Sequence, residues 1–417
     1  MLSRFISCGA NANYANFTNC LCSKFAESVK FVKFALKTRR GCHSIYCTYY
    51  LPFICLFSKF EELIKFVKFA LNKERGCHSI YCTYCLPFIL MILCGLCCGC
   101  AQQDEFEHDQ VGNFEALWTI MDEHYSFFDY KQVDWNEVHD RYRRRVSNEM
   151  TDRELFDICG DMLKELRDGH TNLIATHDVS RYWIWEQWPV NYDERIIDQH
   201  YLNFDYKMAS GIKYQILPDN FGYMYYGSFS SSIGEGNLDL ILSYLSTADG
   251  LIIDVRNNGG GLLTNVETLV ARFIDSKTHV GYIAHKTGKG HNELSDPYPY
   301  YFEPAQNHIH YLKPVVVLAN RSSFSAANNF VSIMKSLDQV TIVGDTTGGG
   351  CGLPFTSELP NGWRVRFSSC PIMDAQGRLT EFGVAPDVRI DMDEQDRSHD
   401  AILDRAITIL AQKTRPN

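Results

Sequence analysis

Hydrophobic and polar positions change period several times along this chain, and each change marks an element. Phe114, Leu117, Trp118 and Met121 recur at three- and four-residue spacing and predict a helix with one apolar face. A second helix is expected from Asp134-Trp135-Asn136 through Val146. A third opens at Thr151, where Glu154 completes a capping box, and runs through Leu155, Ile158, Met162, Leu163 and Leu166. Together these short amphipathic helices predict a small bundle. Residues 182–226 are rich in aromatics (Tyr182, Trp183, Trp185, Trp188, Tyr192, Tyr201), and their alternation predicts β-strands. Such a stripe is ordinarily core; a peptide-binding surface is the sharper reading.

From residue 250 the pattern becomes strand, turn, helix, repeated. Residues 250–256 read as a buried strand running into Asn257-Asn258-Gly259-Gly260-Gly261, with helix positions Val266, Leu269, Val270 and Phe273 beyond. Residues 315–318 read as another strand, stopped by the polar turn 320–323. A helical pattern follows from Ser325 through Ala326, Phe330, Ile333 and Met334. Residues 340–344 form a further strand before a glycine-rich turn at 345–352. A hairpin is expected around Pro360-Asn361-Gly362.

The chain has 417 residues, 45% of them hydrophobic, enough for a large core in two to three domains. The formal net charge of −10, with no basic stripe after residue 100, argues against nucleic-acid binding. Thirteen of the 16 cysteines lie at or before Cys100, so a disulfide scaffold is not expected in the globular part. Cys351 and Cys370 are left as a candidate pair, and no zinc spacing is present after residue 100.

The first hundred residues differ in composition. Gly41-Cys-His-Ser-Ile-Tyr-Cys-Thr-Tyr49 returns as Gly76-Cys-His-Ser-Ile-Tyr-Cys-Thr-Tyr84, and Lys30-Phe-Val-Lys-Phe-Ala-Leu36 returns as Lys65-Phe-Val-Lys-Phe-Ala-Leu71. Two copies are too few for a solenoid. Basic residues Lys73-Glu-Arg75 precede a charge-free apolar run that ends in small residues, and an acidic stretch follows. That is the layout of an export signal, with a single membrane span as the alternative. Leu96-Cys-Cys-Gly99-Cys100 resembles a bacterial lipobox, so Cys100 is the expected lipid-anchor site. The cell envelope of a Gram-negative bacterium is the expected location, with secretion as second choice.

Three features carry candidate chemistry. Ser325 sits where a strand turns into a helix, a place for an exposed nucleophile beside free N–H groups and equally for a helix cap. The Gly259–Gly261 turn frees backbone N–H groups of the kind an oxyanion hole needs. It fits neither GxxxxGK[ST] nor GxGxxG, which sets phosphate binding aside. His170 follows the helix-breaking Asp168-Gly169 and has Asp168 and Thr171 beside it. It reads as a catalytic base or as an ordinary loop histidine.

Four ordered blocks then resemble the S41 (tail-specific, C-terminal-processing, tricorn-like) serine peptidases. They are Asp168-Gly-His170-Thr; Asp254-Val-Arg-Asn-Asn-Gly-Gly-Gly261; Ser325-Ala-Ala-Asn with Val343-Gly-Asp-Thr-Thr-Gly-Gly-Gly350; and Glu381-Phe-Gly-Val-Ala-Pro-Asp387. The resemblance covers about residues 112–412. It implies an α/β fold: a crotonase/ClpP-like catalytic domain of ββα units with an N-terminal helical bundle. The serine–lysine version of the family has its lysine where this chain has Gly350. The tricorn-like version implies Ser325 as nucleophile, His170 as base and Glu381 as orienter, although Gly169 stands where that branch carries a serine. Ala326 with Gly260 or Gly261 would supply the oxyanion hole, and Asp168, Ser322 or a water would connect Glu381 to His170. No metal or organic cofactor is implied, and the partner is a peptide or protein substrate. The expected division is 1–100 leader, 101–175 bundle, 176–220 aromatic β segment without a PDZ domain, and 221–417 catalytic domain. The alternatives are a non-catalytic ligand- or peptide-binding protein on this fold, and an acyl-CoA enzyme with a similar oxyanion hole.

Overall fold

Short helices with good caps open the described chain. The computed structural model describes residues 106–182, 187–393 and 395–414, within the unit Asp104–Asn417. The repeat, the export signal and Cys100 lie outside the described residues, among which no helix is long and apolar enough to cross a membrane.

Helix α1 (Gln110–His124) is capped by Asp109, whose carboxylate accepts from the Gly112 N–H. A single turn, α2 (Phe128–Lys131), follows it. Asp134 caps α3 (Trp135–Arg143), which stops short of the expected Val146. Thr151 and Glu154 form the reciprocal capping box of α4 (Asp152–Lys164). Phe114, Leu117, Met121, Trp135 and Leu155 pack together, and Val365 and Phe367 from the far end of the chain close the same core. Three narrow apolar stripes cannot enclose themselves, so the bundle is completed by a sheet.

Strand β1 (Asn172–Ile174) comes next, then helix α5 (Glu194–His200), β2 (Lys207–Ala209), β3 (Ile212–Ile216) and β4 (Phe221–Tyr226). The stretch 176–220 is thus not all β. Asp193 caps α5 by accepting from the Arg195 N–H, and Ile196 and Ile197 are buried. Strand β2 pairs antiparallel with β3, and β3 with β4, so both belong to the main sheet.

The chain then runs α6 (Glu235–Leu245), β5 (Gly250–Asp254), α7 (Leu263–Val270), β6 (Thr278–Ile283), β7 (Tyr298–Phe302), β8 (Val315–Ala319), α8 (Ala326–Met334), β9 (Val340–Gly344), β10 (Gly352–Glu358), β11 (Arg364–Met373), β12 (Val388–Arg389) and α9 (Ala401–Thr414). The main sheet has the order β12-β9-β8-β5-β4-β3-β2 and is parallel from β12 to β4. Every residue of β5 and β8 is buried, which explains their unbroken apolar runs. Leu251, Ile253, Val315 and Val317 face α6, α7 and α8, whereas Ile252, Val316 and Leu318 face α9. A second, antiparallel sheet (β1-β11-β6-β7, with β10 on β11) backs the helical bundle.

Asp254 and Arg256, part of a glycine-turn block singled out in the sequence, are structural. The Arg256 guanidinium pairs with Asp254 at 2.7 Å and Asp400 at 2.8 Å, all three side chains fully buried. Asp400 also accepts from the N–H groups of Ile402 and Leu403, so this triad fixes the start of α9 to the end of β5.

Candidate active site

The turns after β5, β8 and β9 leave the carboxyl end of the parallel sheet side by side, where open α/β sheets place their ligands. Polar bonds lace them together. The Asn320 side chain donates to Asn257 Oδ1 at 2.9 Å and accepts from the Asn257 N–H at 3.0 Å. The Ser325 N–H donates to the Gly349 carbonyl at 2.8 Å, and the Gly348 N–H to Ser323 at 2.9 Å. These bonds hold Ser325 at φ 58°, ψ −118°, a conformation that L-residues rarely adopt.

That serine begins α8 but makes no side-chain cap bond. Its Oγ lies instead 2.8 Å from Nε2 of His170, 155 residues earlier in the chain. The cap reading of Ser325 is therefore set aside. Helix α4 has ended by this point, and Arg167 at φ 48° turns the chain so that His170 enters the site. The His170 N–H donates to Asp168 Oδ1 at 2.7 Å. Burial pushes the imidazole down to about 4, against the pull of the Asp168 charge. Among the described residues no side chain accepts from its Nδ1, and a contact with the Gly352 backbone favours the protonated ring, as Asp168 does.

Glu381 lies in the same buried region, but no hydrogen bond joins it to His170. Its Oε1 is 2.7 Å from Lys131 Nζ, and its Oε2 accepts from the Cys351 N–H at 3.0 Å. Lys131 also stands 3.4 Å from Asp168 Oδ2, which in turn accepts from the Tyr125 hydroxyl at 2.9 Å. Glu381 and Asp168 therefore meet through a lysine that the sequence reading missed. Burial opposes charge on every member. The Lys131 ammonium and His170 still hold Asp168 below the usual carboxylate range, and the two carboxylates hold Lys131 above its own. Burial and the Asp168 charge push Glu381 up to about 7. Ser322 bonds neither His170 nor Glu381; its N–H donates to Asn320 Oδ1 at 3.1 Å.

The glycine turn approaches Ser325 closely. A Cβ on Gly260 (φ 96°) would lie 2.8 Å from Ser325 Cβ and 2.9 Å from the Ala326 nitrogen. The Gly260 N–H is taken by Asn258 Oδ1 at 2.9 Å. Among the described residues no acceptor takes the N–H groups of Gly261 or Ala326. Of the two glycines expected as donors, Gly261 is the one left available. Gly350 (φ 79°) packs under the pair: a Cβ there would meet the Phe324 ring at 2.5 Å and His170 Cε1 at 3.2 Å, so a lysine in this place would displace both. Cys351 and Cys370 are free thiols, not a disulfide, and burial pushes Cys351 well up, keeping it protonated. A cleft of about 390 Å³ opens over His170, Gly261, Ser325 and Ala326.

The model of peptidase family S41 matches residues 220–390, and that of the tricorn protease C1 domain matches residues 106–164. A solved structure of a candidate peptidase from Parabacteroides merdae ATCC 43184 is 49% identical to this chain, with a TM-score of 0.70. The match covers 73% of this chain and 97% of that one. The chain belongs to peptidase family S41. Among curated S41 relatives, the carboxy-terminal processing protease CtpA of Bacillus subtilis (strain 168) is 26% identical over 180 residues, which is 43% of this chain and 36% of CtpA. An uncharacterized protein of Chlamydia muridarum (strain MoPn / Nigg) is 30% identical over 159 residues, which is 35% of this chain and 26% of the relative. The chain thus spans about a quarter to a third of the length of these two curated relatives. Mature CPAF, 12% identical with a TM-score of 0.59 over 74% of this chain and 98% of its own, shares the fold.

Proposed function

We propose that this S41 chain is a serine endopeptidase with Ser325 as nucleophile and His170 as general base. The observation that carries the reading is the 2.8 Å contact between Ser325 Oγ and His170 Nε2, made by a serine in a strained conformation with no capping role. A hydroxyl is a weak nucleophile until a base takes its proton. His170 is neutral at physiological pH and accepts that proton as Oγ attacks the peptide carbonyl carbon. The negative charge then moves to the carbonyl oxygen, where the N–H groups of Ala326 and Gly261 receive it. His170 next protonates the departing amine, and water releases the acyl group from Ser325 by the same steps. Asp168 is the carboxylate whose charge favours the imidazolium, and Glu381 acts at one remove, through Lys131. The substrate is a peptide or protein tail. From the sequence of residues 73–109 we also propose lipid anchoring at Cys100 in the cell envelope.

A fluorophosphonate probe tests this directly. It should attach to Ser325, as read by the mass of the peptide bearing that residue, and attachment should be lost in His170→Ala. A folded protein that leaves the probe unreacted would favour the binding-protein reading.

The acid limb of the pH profile follows from His170. Because its pKa is depressed, the neutral, proton-accepting form persists to lower pH than for an ordinary imidazole at 6.5. The acid limb of kcat/KM is expected near the depressed value of about 4. Peptide hydrolysis measured from pH 3 to 9 checks it, and a limb at 6.5 or above contradicts the buried-base geometry.

A further inference from the structure

The aromatic residues of β7 divide between the two faces of the second sheet. Tyr298 and Tyr300 lie on one face, and Pro299 and Tyr301 on the other. The register extends the first face across three strands: Tyr298 stands beside Ile283 of β6, which stands beside Ile372 of β11. Ile372 lines the catalytic cleft. Tyr300 ties the same face to the site a second time. Its ring covers Gly281, where a Cβ would lie 2.9 Å from Tyr300 Cε1, and its hydroxyl accepts from Asn329 Nδ2 at 3.3 Å. Asn329 also lines the cleft, one turn of α8 beyond Ser325. The face is therefore a shelf that begins in the cleft and ends at the edge of the sheet, because β7 has no strand on its far side among the described residues.

The shelf is apolar and opens outward. Ile372 is buried, Ile283 is half-buried and Tyr298 is exposed at 46%. The His285 ring, 6.0 Å from that of Tyr298 and edge-on to it, braces the tyrosine. An apolar strip beside a cleft gives an apolar side chain a place to leave water. Its continuity with the cleft decides the occupant: an extended peptide held at Ser325 and passing over Ile372 meets Ile283 and then Tyr298. Neighbouring strands are about 4.8 Å apart, so Tyr298 lies about 10 Å beyond Ile372, the span of about three extended residues.

We propose that Tyr298 is a specificity-determining residue that packs against an aromatic side chain of the substrate, about three residues beyond the one seated on Ile372. The proposal rests on the peptidase reading.

The test uses one cleavable peptide of alanine and serine, and a set in which a single phenylalanine replaces serine at each position out to about six residues on either side of the cleaved bond. At a position about three to four residues from that bond, phenylalanine is expected to raise kcat/KM about tenfold over serine, through KM rather than kcat, because the contact is remote from the reacting atoms. In Tyr298→Ser that gain should fall to near one. Tyr301→Ser is the matched control: Tyr301 is as exposed, at 47%, on the same strand but the opposite face, and this variant should keep the gain. Fluorophosphonate labelling of Ser325 in each variant reports that the site is still assembled. Each peptide is also measured as a competitor of that labelling, so that binding without cleavage is read as well. Indifference to phenylalanine at every position in both measurements, a gain that survives Tyr298→Ser, or a gain lost equally in both variants overturns the proposal alone. Absence of both labelling and cleavage in wild type overturns the peptidase reading, and the proposal with it.

Discussion

Ser325→Ala is expected to lower peptide hydrolysis by about 10⁴- to 10⁶-fold, the scale of removing a nucleophile that acts with its base as a unit. The same change should lower the melting temperature by no more than a few degrees. A helix-capping serine would lose about 1 kcal/mol on replacement by alanine, but Ser325 makes no cap bond. What it loses is one hydrogen bond to His170, a net contribution of about 0.5–1.5 kcal/mol. Ser325→Gly separates strain from chemistry. At φ 58°, ψ −118° a Cβ costs about 1–3 kcal/mol, which glycine relieves. The glycine variant should be as inactive as the alanine variant and at least as stable as wild type. Hydrolysis assays and thermal melts on the three proteins check both halves. Wild-type rates in Ser325→Ala would end the nucleophile assignment. A large loss of stability would instead return Ser325 to a structural role.

The elements around Ser325 were legible because each carries a local signature. Residues 315–334 switch from an unbroken apolar run to helical spacing across a polar turn, and the structure has β8 and α8 there. Strand β9 matches its apolar run at both ends, and the turn Pro360-Asn361-Gly362 does join β10 to β11. Helix α5 was hidden by aromatic residues that alternate like a strand, although Asp193 followed by Glu194-Arg195-Ile196-Ile197 is a helix start in retrospect. Edge strand β7 contains Pro299, a residue that discourages a strand reading. In the site itself, the Ser325 and His170 positions came from ordered motifs. The contact between them is tertiary and has no trace in local spacing. Lys131 was least legible of all. It ends a one-turn helix, has no charged pattern around it, and meets a carboxylate 250 residues away. Periodicity cannot report a charge pair of that separation.

Lys131→Met tests what that lysine does. Its ammonium lies between Asp168 and Glu381, with essentially no exposed side-chain surface on any of the three. Removing the cation leaves two carboxylates facing each other in a dry interior, and breaking a buried pair in this way typically costs about 3–5 kcal/mol. The deficit should depend on pH with a definite sign. Burial already raises Glu381 in the folded protein from 4.5 to about 7, so between those values the folded state binds more protons than the unfolded state. Stability therefore falls as pH rises through that window. Without Lys131 the carboxyl pKa values rise further, so the window extends upward and the loss deepens. Chemical denaturation should thus find Lys131→Met much more impaired at pH 8 than at pH 5. Adding Glu381→Gln should recover part of the loss at pH 8, because it removes one of the two opposed charges. A deficit that is the same at both pH values would mean that Lys131 contributes packing alone. If the double variant regains stability but not activity, Glu381 has a role in the site beyond balancing the lysine. It would then hold the Cys351 N–H, and with it the Gly350 turn beneath His170, in the position the base requires.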